Sequence, residues 1–334
     1  MIETYSDEYI HLDELARHWP DGQELPPLLK DLAIFVRDQE YRSLGDFLMP
    51  GSRMDDFWIQ NGADLWPYFG MFIGLPDGSR VAQWFREGGG PGDAPIVYLG
   101  SEGDNRIEAP NLEAFLAAWA LAAFDKKGAL AADGNKVSLP FELLRGEHKE
   151  AEDRRPALLA FLREHLGEDP RNFIRPPEPA ASLLEFLEAW GEREQQRMIS
   201  DPLLLAIAKQ LDRYIPRGKE WWQWETLFVR AAGGRCEIDT PEAGKRPLPE
   251  EKEIIPLVLE AREARAQGIH AVRGLWHKAT IRLAPDGQCR IMGDWVRQPN
   301  FRDGKPPAAA EIAADLKRFP RSERWIESWM KDGQ

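Results

Sequence analysis

Cysteine is nearly absent from this 334-residue chain: only Cys236 and Cys289 occur, with no CxxC pair. Without a second pair, or a histidine at ligand spacing, neither a disulfide framework nor a zinc cluster is expected. Long apolar runs are missing too; none approaches the ~20 residues of a membrane span. The N-terminus, MIETYSDEYIHLDELARHW, lacks a basic region followed by an apolar core, so it does not read as a secretory signal. A reducing cytoplasm is the expected compartment. Positive charge is in deficit: 43 Lys and Arg stand against 56 Asp and Glu, leaving a net charge of −13. A polyanion is held mainly by Lys and Arg on its phosphates, so direct nucleic-acid binding is not expected. An acidic surface keeps the chain soluble and steers it toward basic partners.

Catalytic constellations are also missing. The six histidines are His11, His18, His148, His165, His270 and His277, and none forms an HxH or HxxxH pair. His270 and His277 flank a turn into a strand and read as ordinary, partly exposed residues. No GxSxG occurs, and neither cysteine has the setting of a nucleophile. Paired carboxylates are common in any acidic chain and carry no information about acid–base catalysis. The reading is therefore of a protein that is not an enzyme and needs no cofactor or metal.

What is present is a two-part α+β pattern. LPPLLKDLAIFVRDQEYRSLGDFL (Leu25–Leu48) has the broad apolar face and leading prolines of a helix. From residue 56 onward, aromatic and β-branched runs alternate with turn signals at Asn61-Gly62, Asp77-Gly78, Gly88–Gly92 and Gly100–Asp104. That spacing predicts an antiparallel meander. A helix over NLEAFLAAWALAAF, capped by Asn111, closes the first part. The segments PALLAFLREHL and ASLLEFLEAWGEREQQR are helical, and the Pro-rich GEDPRNFIRPPEPA between them reads as extended. A second helix–meander–helix pattern follows, opened by Asp201 as cap and Pro202 at the first helical position. Asp286-Gly287 predicts a two-residue hairpin turn. Trp325 and Trp329, four apart, predict one helical face, and Trp221, Trp222 and Trp224 cluster in a strand. The expected domains are 1–128 (α+β), 129–198 (a helical, Pro-containing connector) and 199–334 (α+β). Each α+β part is a small antiparallel sheet packed with helices.

The order strand, Gly-rich turn, helix in PIVYLGSEGDNRIEAPNLEAFLAAWA also suits a phosphate-binding loop. The details do not. There is no Gly-Lys pair, Glu102 and Asp104 would put negative charge where phosphates sit, and Pro110 intervenes before the helix. REGGGPGDAP (86–95) fits neither nucleotide spacing and reads as a surface loop.

Residues Trp58 to Phe124 resemble the SUKH superfamily. FGMFIGLPDGSRVAQWF and PIVYLGSEGDNRIEAPNLEAFLAAWA carry the resemblance, through a strand of the type pVvyLGsEG and an A-nl-FL closing helix. Leu203 to Met330 is similar to the YezG-like antitoxin family, through WWQWETLFVR, WHKATIRLAPDGQCRIMGDWV and LKRFPRSERWIESWM. Both families are associated with bacterial immunity to polymorphic toxins, often nucleases. The resemblance implies a protein that binds and blocks a cognate toxin, with a regulatory protein–protein scaffold as the alternative. The meander turns then supply the expected interface: Asp77, Asp93, Glu102, Asp104 and Asn105, with Trp84 as an aromatic anchor. A basic nuclease is the partner that such acids would meet.

Overall fold

The computed structural model describes residues 15–16, 19–38, 65–74, 79–86, 94–122, 129–130, 136–137, 149–216, 220, 224–240, 248, 251–268 and 271–331. The fold is α+β, and the chain divides into two compact units, Met1–Glu188 and Ala189–Gln334.

The first unit begins with helix α1 (Pro27–Asp38), whose prolines lead it as expected. Four strands follow: β1 (Phe69–Gly74), β2 (Arg80–Trp84), β3 (Ile96–Leu99) and β4 (Arg106–Ala109). They form an antiparallel meander in the order β1-β2-β3-β4. Helix α2 (Leu112–Ala122) closes it, and the Asn111 carboxamide accepts the Ala114 N–H at 2.9 Å. A short pair, β5 (Ala129–Leu130) and β6 (Lys136–Val137), comes next, and then helix α3 (Lys149–Leu166). α3 is part of the first unit's core: Leu158, Phe161 and Leu162 pack in one cluster with Leu29, Phe72 and Trp119. The sheet is buried on both faces, so its strands read as apolar runs rather than alternating patterns. Gly70 is fixed by packing: the Trp19 ring lies flat against it, and a Cβ there would sit 2.8 Å from three ring atoms.

Pro170–Phe173, expected to be extended, forms a 3-10 turn because the Asp169 carboxylate caps it at the Arg171 N–H. Helix α4 (Ala181–Ser200) follows, and the boundary between units falls within it.

In the second unit, helix α5 (Pro202–Gln210) starts where the sequence places it. Asp201 Oδ1 accepts from Leu203 and Leu204 N–H. β7 (Glu225–Ala232) and β8 (Arg235–Asp239) pair through Gly233-Gly234, with Gly233 at φ +56°. Helix α6 (Glu251–Gln267) precedes β9 (Lys278–Leu283) and β10 (Cys289–Asp294). The sheet order is β10-β9-β7-β8, all antiparallel. α5 and α6 pack on each other, α5 on β10 and α6 on β8.

The β9–β10 turn is one residue longer than the sequence suggested. Ala284 and Gln288 close a loop of Pro285, Asp286 and Gly287, with Gly287 at φ +89°. This is a turn followed by a left-handed residue, in which only the glycine needs positive φ. Helix α7 (Ala309–Arg318) and the short α8 (Ser328–Lys331) end the chain. Trp325 and Trp329 are not on one helix: Trp325 ends a 3-10 turn and Trp329 sits in α8. Both still serve packing, since Trp325 is 1% exposed and the Trp329 indole donates to Val296 O.

The two cysteines lie on strands β8 and β10, and burial pushes both thiols up to about 12. A thiol reagent such as DTNB is expected to leave the native chain unmodified at pH 8 and to react fully in urea. Rapid reaction of the native chain would contradict the packing of this sheet.

Candidate functional site

The best-defined surface feature of the first unit is the turn from Gly100 to Asn105, which links β3 to β4. It is a hairpin connection, and α2 begins only after β4, so it is not the start of a phosphate-binding helix. Gly103 N–H donates to Gly100 O at 3.0 Å, and Gly103 holds φ +90°. Gly100 is also required: a Cβ there would lie 1.8 Å from Asp104 Oδ1. Glu102 and Asp104 project into solvent, and Asn105 is half-buried.

Below the turn is a polar buttress built on the sheet. The Ser79 hydroxyl, fully buried, accepts the Tyr98 OH at 2.9 Å and the Ser101 N–H at 3.1 Å. Arg106 lies with its guanidinium carbon 3.9 Å from the Tyr98 ring centroid. Its Nη1 donates to Asp104 Oδ2 at 3.0 Å, and its Nε donates to Glu108 Oε1 at 2.7 Å. Arg106 therefore bridges one exposed and one buried carboxylate. The second oxygen of Glu108, Oε2, is buried without a hydrogen-bond partner. Burial pushes the Glu108 carboxyl up to about 7, against the opposing charge and hydrogen bond of Arg106.

The candidate interface residues divide three ways. Glu102, Asp104 and Asn105 come together on this turn. Asp77 and Asp93 lie outside the described residues, as does most of the 86–95 loop. Trp84 is a correction: it is 3% exposed and so offers no surface anchor. The Phe186 ring packs 5.4 Å from it, and Arg86, paired with Glu178 at 2.7 Å, lies over it at 4.7 Å. Ser79, Tyr98, Arg106 and Glu108 were not singled out from the sequence. The alternation Asp104-x-Arg106-x-Glu108 was the available signal, since a strand places such residues on one face.

The second unit holds its own buried polar cluster, and it is structural. His277 is 1% exposed, not partly exposed as its sequence setting suggested. Its Nδ1 lies 3.2 Å from Ala231 O and 3.4 Å from Arg262 Nη2. Burial, with the charges of Arg321 and Arg262, holds the imidazole well below its usual range and neutral. Arg262 donates to Trp276 O at 2.6 Å and to Asp315 Oδ2 at 2.8 Å, and the same carboxylate oxygen accepts Gly233 N–H at 3.0 Å. Arg321 donates to the carbonyls of Trp295, Trp325 and Leu275, tying the C-terminal segment to the strands. Arg302 does the same for the preceding loop, gripping Asp239 and Glu251. Every one of these groups faces a neighbour inside the unit.

Among the described residues, no group of three or more His, Cys, Asp or Glu side chains could hold a metal ion. Among the same residues, no helix is long and apolar enough to cross a membrane. A comparison with protein-family models, curated proteins and solved structures finds no match to this chain.

Proposed function

We propose that this chain is a non-enzymatic immunity protein that binds a toxin protein in the cytoplasm and neutralises it by occlusion. The observation that carries this reading is the acidic turn at residues 100–105. It presents Glu102 and Asp104 on a backbone already fixed by Ser79, Tyr98 and Arg106. A preorganised acidic projection loses little entropy on docking and complements the basic cleft of a nuclease. The resemblances of Pro95–Trp119 to the SUKH superfamily and of Leu203–Met330 to the YezG-like family support the same reading.

The test is co-expression of this chain with a toxin domain encoded beside its gene, scored by survival and by recovery of a stable complex. Rescue with a complex is the expected result. Undiminished killing with no complex counts against that toxin as the partner. Charge reversal in the turn reads the surface. Glu102→Lys alone, which spares the Asp104 pairing with Arg106, is expected to weaken the complex at least about tenfold and to flatten its salt dependence. An unchanged affinity and salt slope would place the interface elsewhere.

A further inference from the structure

The sheet of the second unit has two unlike faces. Leu227, Val229, Ile238, Ile281 and Ile291 are buried on the face toward α5 and α6. On the opposite face the strand register sets residues in rows. One row runs Arg290, Arg282, Thr226, and the next runs Met292, Thr280, Phe228. Phe228 is 45% exposed, although it stands in the middle of a strand. Lys278 lies one row beyond, between Asp294 on β10 and Arg230 on β7.

The charge arrangement on this face is unusual for an acidic protein. Arg282 and Arg290 are directly opposed across β9 and β10, a like-charge pairing that costs stability. Both guanidiniums lie over the Trp224 ring, 5.2 Å and 4.8 Å from its centroid. Four other arginines of the unit end on carboxylates, Arg230 on Asp239, Arg262 on Asp315, Arg302 on Glu251 and Arg318 on Glu263, whereas Arg321 ends on backbone carbonyls. Among the described residues, Arg282 and Lys278 form no ion pair. Among the described residues, Arg282 has no carboxylate partner, and it lies one row from the half-exposed Phe228.

We propose that this face docks an acidic segment of a partner protein. Arg282 and Lys278 receive its carboxylates, and Phe228 with Met292 seats an apolar side chain between them. Arginine suits this role because its planar fork meets a carboxylate in two parallel hydrogen bonds. Two features favour a peptide over a nucleic acid. Two guanidiniums already lie against the Trp224 ring and compete with a base for it. The net charge of −13 opposes a dense polyanion more strongly than a segment with a few carboxylates. This surface prefers the opposite charge to the turn of the first unit, so the proposal goes beyond toxin neutralisation and stands or falls separately.

The test is fluorescence anisotropy with the full chain and a labelled peptide of alternating glutamate and leucine. A peptide with lysine in place of glutamate and an oligothymidylate serve as the other probes. The glutamate peptide is expected to bind, and more weakly as salt rises. Arg282→Glu is expected to weaken it at least about tenfold, and Phe228→Ala about threefold. Lys209→Glu, a charge reversal on α5, is expected to leave binding unchanged. Lys278→Glu repeats the test should Arg282→Glu fail to fold, with circular dichroism as the check. Failure of the glutamate peptide to bind, or binding indifferent to both face variants, overturns the proposal. Oligothymidylate binding that is lost in Arg282→Glu assigns the face to nucleic acid and overturns it as well. So does self-association of the chain that the same variants abolish.

Discussion

Replacing Asp315 with alanine is expected to destabilise the second unit by about 3–5 kcal/mol, a large share of the roughly 5–15 kcal/mol that holds a domain folded. The reason lies in what the carboxylate leaves behind. Arg262 is 2% exposed and gives one of its donors to Asp315 Oδ2. Without that oxygen the guanidinium keeps its charge in a dry site, with Trp276 O still accepting from Nε. The Gly233 N–H, which fixes the β7–β8 turn, loses its acceptor at the same time. Urea unfolding followed by tryptophan fluorescence reads the shift in midpoint. Asp315→Leu combined with Arg262→Met is expected to recover most of the loss, because removing both charges removes the stranded one. A single variant of near wild-type stability would show that this cluster is not a buried ion pair in solution.

The second large effect is a pH dependence that runs in opposite directions in the two units. Glu108 is raised from 4.5 to about 7, so the folded first unit holds a proton that the unfolded chain releases. Its contribution to the stability of that unit is therefore fully present below pH 4.5. It falls by up to about 1.4 kcal/mol per pH unit as pH rises through the window from 4.5 to 7, and it levels off above. The total is on the order of 3 kcal/mol. Glu108→Gln is expected to remove this slope and to stabilise the first unit at pH 8. His277 works the other way. Its folded value is depressed well below 6.5, so its contribution is present above pH 6.5 and is lost as pH falls below that value. Amide hydrogen exchange, corrected for intrinsic pH effects, reads strands β3 and β9 separately. Parallel pH trends in both strands would contradict these assignments.

Local chemistry made much of the fold legible. Asn111 and Asp201 are caps because a short polar side chain before an apolar run meets the free N–H groups of a helix start. Glycine punctuation gave the meander of the first unit, whose four strands lie in chain order. Tertiary effects were not legible. Asp169 turns a Pro-rich stretch into a 3-10 turn through one side-chain bond. His277 is buried by Trp329 and the strand beside it, neither of which its own neighbours in sequence announce. The site divides in the same way. The exposed acids Glu102 and Asp104 follow from a Gly-rich acidic turn. The buttress does not, because Ser79 is brought under the turn from a different strand connection. Trp84 shows the limit of composition: an aromatic residue beside a turn fits both a core and an interface, and here Phe186 covers it.

The central claim is that the acidic turn carries stoichiometric binding of a toxin. Calorimetric titration of the purified toxin domain with the full chain, at two salt concentrations, tests it most directly. The expected result is one chain bound per toxin, an affinity that falls with salt, and a loss of at least about tenfold in Glu102→Lys. A toxin that loses activity with far less than one equivalent of this chain would contradict occlusion. Binding of unchanged strength in Glu102→Lys at both salt concentrations would contradict the role of the turn.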